Sequence, residues 1–274
     1  MKLHITFSRN DVRRVRDVVA RMSNHPIVAE RRRRNVDRQG IDLSHQTIWK
    51  RQVGCLLTTR QKSGEGSAVQ RFIRSKSPLL SLVRCEAARD VATLAESELS
   101  ASGGIRRTTV IPRHIAHNFR WLNAGGWSQI DALLSPFKKA PQPKEEERIC
   151  ATSLDGMLKG FGPKQSRNLL QWLGLTQHEI PIDSRIIRWL KELEKDNLLP
   201  LLSSTALAES AYYCCVMDTI QRLCAEAEVL PCIFDASVFA SFEDSEERLK
   251  SAGVTLTPCR CALGRSRGTG TGGG

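Results

Sequence analysis

Apolar side chains recur at helical spacing along almost the whole chain, in runs that are short. Val12, Val15, Val19 and Met22 share one face, as do Ile48, Trp49, Val53, Leu56 and Leu57. The period returns in Ile115, Phe119 and Leu122, in Leu169, Leu170 and Leu173, and in Tyr212, Val216, Ile220 and Leu223. Steps of three and four place side chains on one side of an α-helix, whereas strands need alternation by two. Alternation is nearly absent, and no internal repeat stands out. This pattern confines the chain to an all-α architecture of many short amphipathic helices.

Capping residues punctuate those helices. Ser8 with Asp11 predicts a capping box, Pro26 opens a second helix, and Ser44 and Ser67 are N-caps. Helical patterns fill 68–74, 78–84 and 86–99 until Gly103-Gly104 stop the last. Ile111-Pro112 starts another, Gly125-Gly126 end it, and a short helix follows Ser128. Glu145, Glu146 and Glu147 suit the positive end of a further helix. Thr205–Val229 reads as one long helix and Leu230–Phe242 as another. Residues 2–7 are expected to be a short strand or an irregular lead. Order becomes doubtful beyond Glu246, and the glycine-rich 264–274 should be a flexible tail.

Charge narrows the partner. The net charge is +12, and residues 1–60 hold 14 Lys/Arg against 5 Asp/Glu. Such asymmetry points to a polyanion, although a solvated basic face gives the same count. Arg31-Arg32-Arg33-Arg34 cannot all share one helical face. No apolar run reaches the ~18 residues that cross a bilayer, and the N-terminal apolar stretch is too short for a secretory signal. A cytoplasmic (bacterial nucleoid) or nuclear setting is expected, with no membrane partner.

The nine cysteines lie mostly within apolar helical patterns, where a reduced thiol acts as a small hydrophobe. Cys214, Cys215, Cys224 and Cys232 match no zinc or iron–sulfur spacing, and Cys259-x-Cys261 has no second pair nearby. His114 and His117 share a helix side without an evident third ligand. No metal site is expected. Trp172, Tyr212 and Tyr213 are candidates for a base pocket, with core packing the simpler reading of each.

The stretch with most chemical content is Leu158-Lys-Gly-Phe-Gly-Pro-Lys164. Gly160 and Gly162 predict a tight hairpin between two helices, where backbone approaches phosphate closely. Unpaired N–H groups at the start of the second helix attract an anion. Lys159, Lys164 and Arg167 add positive charge, and carbonyls within Leu158–Gly162 offer a site for a monovalent cation. Pro163 fits the first helical turn. Asp183 follows Lys164 by nineteen residues and can cap the helix of Ile186, Ile187 and Leu190. A glycine turn joining two core helices, with Asp183 an ordinary N-cap, is the bland alternative.

Leu158–Lys164 with Ile180-Pro-Ile-Asp183 resembles the signature of the helix-hairpin-helix DNA glycosylase superfamily, which includes endonuclease III and the 8-oxoguanine DNA glycosylase/lyases. Residues 49–61 are similar to the family's buried helix and duplex-entering loop, with Arg60-Gln61 at the wedge position. Lys159 replaces a frequent proline, Ser166 replaces a frequent alanine, and endonuclease III's iron–sulfur cysteines are missing. The resemblance implies a two-lobed all-α fold over residues 9–245 with a DNA groove between its lobes. One lobe would comprise 1–60 plus 183–245, and the other 61–182, ending in the hairpin unit at about 146–174. It assigns Lys164 as the nucleophile at C1′ and Asp183 as essential for base loss. Lys159, Gly160, Phe161, Gly162, Pro163, Arg167, Arg60 and Gln61 would contact DNA.

The expected activity is excision of a damaged, preferentially oxidised, base from double-stranded DNA with strand cleavage through a lysine Schiff base. The protein would act as a monomer and require no cofactor. Two rivals stay open. A monofunctional glycosylase would use Asp183 to activate water, and a non-enzymatic protein would use the hairpin only to bind DNA.

Overall fold

In the computed structural model of the chain, residues 6–192, 202–203 and 205–251 are described, with side chains to residue 245. The expected lead at 2–7 lies mostly outside them, and the expected tail at 264–274 entirely so. The described residues are helical and contain no strand. The fold is all-α.

Local chemistry sets most helix starts. The Ser8 hydroxyl accepts from the Asp11 N–H at 3.2 Å, while the Asp11 carboxylate accepts from the Ser8 N–H at 2.9 Å, closing the capping box of α1 (Arg9–Met22). Pro26 opens α2 (Pro26–Arg31), which widens into a π-turn over Arg32–Val36. Ser44 caps α3 (His45–Leu57), and Ser67 caps α4 (Ala68–Arg74). A short turn at Pro78–Leu80 leads to α5 (Leu82–Glu86). The helix expected from residue 86 begins later, as α6 (Val91–Ala101), because the Asp90 carboxylate caps Ala92 and Thr93.

Next come α7 (Ile111–Trp121) and α8 (Trp127–Lys139), divided at Gly125 with φ of 105°. Then α9 (Lys144–Met157) and α10 (Pro163–Leu173) follow, joined by the glycine hairpin. Beyond lie α11 (Ser184–Lys191), α12 (Ser210–Glu226) and α13 (Pro231–Ser251). The helix expected from residue 205 starts at Ser210, after a separate turn at Ala206–Ala208.

These helices build two cores. The first gathers Trp49, Leu56, Leu57, Ile115, Leu169 and Leu170 with their neighbours between residues 48 and 175. The second joins Val15 and Val18 of α1 to Tyr213, Ile220 and Phe234 near the other end of the chain. The sequence had grouped residues through 60 with the N-terminal lobe. Instead α3 lies in the first core, because it is apolar on several sides and must be surrounded. The chain therefore changes lobe before α3, and it returns near Ile180 and Ile182, which pack into the second core.

Candidate active site

Four residues of α10, Lys164, Asn168, Gln171 and Trp172, follow helical spacing and line one side of a cleft of about 490 Å³. Asp183, Arg185, Asp235 and Phe239 come to the same cleft from the second lobe. Lys164 and Asp183 thus line one cleft from the two lobes. Lys164 is half-buried in the cleft wall. Loss of solvent pushes its pKa below the usual lysine value; Asp183 opposes that shift and Arg185 adds to it.

Asp183 is held from two directions. One carboxylate oxygen accepts from the N–H groups of Arg185 and Ile186 at 2.8 and 3.2 Å, capping α11. The other accepts from the Arg185 guanidinium at 2.7 and 2.9 Å. That guanidinium lies 3.7 Å from the centroid of the Phe239 ring and 3.4 Å from Glu243. Glu243 also accepts from the N–H of Glu65 at 3.1 Å, so the loop after α3 is clasped to the same cluster. A Cβ at Gly64 would lie 2.2 Å from Glu243, which makes glycine the residue that permits this clasp.

Deeper in, Asp235 accepts from Arg31 and Gln171, each at 3.0 Å. Burial raises its pKa, and the nearby Asp183 works in the same direction. This triad ties α2 and α13 to α10, so the two lobes meet at the floor of the cleft.

The hairpin is braced from behind by Asn118, a fully buried residue of α7. Its side chain accepts from the Lys159 N–H at 2.7 Å and donates to the Lys159 carbonyl at 3.1 Å. Gly160 has φ of 83°, and a Cβ there would lie 2.1 Å from His114 Nδ1. Conformation and space thus both demand glycine. Phe161 packs against the first core, Pro163 is buried, and Gly162 supplies the carbonyl that opens α10. The Lys159 side chain is exposed, with no acid at ion-pair distance among the described residues.

Two solved structures of the 8-oxoguanine DNA glycosylase of Methanocaldococcus jannaschii align with this framework, each with a TM-score of 0.60 and 15% sequence identity. The first spans 91% of this chain and 98% of its own. The second, in complex with a 15mer DNA containing 8-oxoguanine, spans 89% and 99%. The chain has the fold of these helical glycosylases. No family model matches the sequence, and no curated protein matches it.

Within that fold several expected contacts fall elsewhere. Arg167 does not face a groove: it is fully buried, pairs with Glu179 at 2.6 Å, donates to the Pro163 carbonyl at 2.9 Å and lies over the Tyr213 ring. It is a core cation, turned away because it sits off the stripe that Lys164, Asn168 and Gln171 define. The Gln61 amide is used structurally, donating to the Leu57 carbonyl and accepting from the Arg106 N–H at 2.8 Å. Arg60 is exposed in a left-handed conformation with φ of 56°. Neither residue lines the cleft, whereas Ser63, Gly64 and Glu65 of the same loop do.

Trp172 lines the cleft. Tyr213 is core, its hydroxyl donating to the Ile180 carbonyl at 2.9 Å and accepting from the Ile182 N–H at 2.7 Å. It thereby fixes the segment that delivers Asp183. Sequence reasoning missed Asp235, Arg185 and Phe239. An acid within the apolar run Cys232-Ile-Phe-Asp-Ala236 is the signal that could have flagged Asp235.

Proposed function

We propose that the protein is a DNA glycosylase with AP-lyase activity, acting on a damaged base in duplex DNA. The observation that carries this reading is that Lys164 and Asp183 line one cleft, with burial lowering the lysine pKa. The M. jannaschii glycosylase bound to DNA containing 8-oxoguanine supports the same direction and makes an oxidised purine the first candidate base.

Extruding a nucleotide costs a few kcal/mol. Contacts of the glycine hairpin and Lys159 with the phosphate backbone offset that cost. As the N-glycosidic bond breaks, positive charge develops on the sugar, and a carboxylate fixed at Asp183 stabilises it. Neutral Lys164 attacks C1′ through Nζ, and the base departs with the bonding electron pair. The C1′ nitrogen sheds a proton and its lone pair breaks the C1′–O4′ bond, the ring oxygen leaving as a hydroxyl; the resulting Schiff base acidifies the 2′ carbon, and loss of that proton expels the 3′ phosphate. The ammonium form has no lone pair, so a depressed lysine pKa serves this chemistry directly.

Borohydride reduction tests the reading, because it converts the Schiff base into a stable protein–DNA adduct. Wild-type protein should form the adduct on an abasic duplex, and Lys164→Ala should form none. Asp183→Asn should lower base release by about 100-fold, in the range for loss of one electrostatic stabiliser. Release of base without any adduct would replace this mechanism with attack by water.

A further inference from the structure

The cleft lining is electrostatically uneven once its ion pairs are accounted for. Glu30 is held by Arg33 at 2.8 Å, Glu65 by Arg74 at 3.8 Å and Asp183 by Arg185 at 2.7 Å. Asp235 pairs with Arg31 at 3.0 Å, Glu243 with Arg185 at 3.4 Å, and Asp244 faces His25 at 3.4 Å. Every lining carboxylate therefore has a basic neighbour. Among the described residues, three lining cations have no acid at ion-pair distance: Lys164, Arg34 and Arg51.

Lys164 belongs to the chemistry above. Arg34 and Arg51 do not, and their arrangement is costly. Arg34 Nε is buried without a hydrogen-bond partner. Loss of solvent is the main pressure on the Arg34 charge, and repulsion from Arg51 is the next. Arg31, Arg34 and Asn35 stand three and four residues apart, the spacing of one helix face, and all three reach the cleft side. A half-buried guanidinium with an idle donor, beside a second cation, is a site for acceptor oxygens.

We propose that Arg34 and Arg51 form the base-discriminating wall of the cleft, accepting neutral or anionic bases that present carbonyl oxygens and excluding ring-N-alkylated bases, which carry positive charge. The proposal rests on the glycosylase reading. Oxidation gives a base further oxygen acceptors, and a guanidinium fork donates two N–H bonds to adjacent ones. Alkylation at a ring nitrogen instead brings a cation toward two arginines with no acid at ion-pair distance, Glu30 acting on them only from farther away and being held by Arg33. Aromatic walls can attract such a cation. Of the Phe and Trp rings that line this cleft, Phe239 is already covered by the Arg185 guanidinium at 3.7 Å, and the Trp172 ring is packed so closely on Gly54 that a Cβ there would lie 2.7 Å from it.

The test uses the full chain and a panel of duplexes: one with an abasic site, others with 8-oxoguanine, thymine glycol or 7-methylguanine. Wild type should be trapped on the abasic site and excise at least one oxidised base at least about 100-fold faster than 7-methylguanine. Arg34→Met should lower the ratio of oxidised-base excision to abasic-site trapping by about 10- to 100-fold, the worth of one bidentate base contact. Its Tm should not fall, since a charge without a partner is being removed; Arg51→Met should shift the ratio the same way.

Equal loss on base and abasic substrates would make Arg34 a phosphate contact or a structural residue and overturn the proposal. Excision of 7-methylguanine at a rate matching the oxidised bases, or trapping without excision of any oxidised base, would overturn it while leaving the lyase standing. Absence of both trapping and excision on every duplex would remove the glycosylase reading itself.

Discussion

At the scale of single residues, the proposed chemistry depends on the protonation of Lys164. Burial and Arg185 push its pKa down, while Asp183 holds it up. The lyase rate at saturating DNA should rise about tenfold per pH unit while the ammonium form dominates, then level off below the usual lysine pKa. A rate still climbing through that value would mean that Lys164 is not the nucleophile. The same shift has a consequence for stability. Between the folded and unfolded pKa values the native state binds fewer protons than the unfolded chain, so stability rises with pH across that window. The penalty is complete below the folded value. Lys164→Met should therefore raise Tm at neutral pH, and thermal melts at increasing alkalinity should show the advantage shrinking.

At the scale of elements, the segment between α10 and α11 delivers Asp183, and two buried charges shape it. Glu147 of α9 accepts from the N–H groups of Gln177, His178 and Glu179 at 2.8–2.9 Å, and from the Thr176 hydroxyl. Arg167 of α10 holds Glu179 from the other side. Glu147→Ala would strand several buried donors and should cost about 3 kcal/mol in urea unfolding. Arg167→Met should cost about 3 kcal/mol, at the low end for a broken buried pair, because Glu179 keeps Arg148 at 2.9 Å. If Arg167 contacted DNA instead, its replacement would change duplex affinity with little effect on unfolding.

These two residues also mark what the sequence could convey. Glu147 was legible as an acid at a helix N-terminus, which is a local property, but its service to a loop thirty residues on is tertiary. Arg167 was read with Lys164 because both are basic and close in sequence; their separation depends on which face of α10 meets Glu179. Caps at Ser8, Ser44 and Ser67 and the glycine turn were legible because they act within a few residues. Asp235 was not, because its partners Arg31 and Gln171 lie on helices far apart in the chain, and Arg185 was not, because Phe239 and Glu243, which meet its guanidinium beside Asp183, lie on α13.

At the scale of the molecule, the cleft exists because the chain closes one core, leaves it and returns with its C-terminal helices to complete another. Lys164 rides on an element of the first core and Asp183 leads into an element of the second, so their distance is set by the contacts that join the lobes. The Arg31–Asp235–Gln171 triad is one such contact, and Asn35, which donates to the Thr176 carbonyl at 2.8 Å, is another. The basic N-terminal region enters this junction rather than forming a separate tail. Arg31 is spent on Asp235 and Arg33 on Glu30, so neither belongs to the excess of 41 Lys/Arg over 29 Asp/Glu that a polyanion would meet. Lys159 and Arg60 are exposed, and in the proposed complex they would meet the DNA backbone. Four phosphate contacts would give log Kobs against log[salt] a slope of about −4, steep enough to weaken duplex binding by two orders of magnitude between 50 and 200 mM salt. Lys159→Ala should reduce that slope by about one and weaken damaged and undamaged duplexes by the same factor. Fluorescence anisotropy across a salt series reads both, and a wild-type slope shallower than about −2 would rule out a backbone-anchored mode.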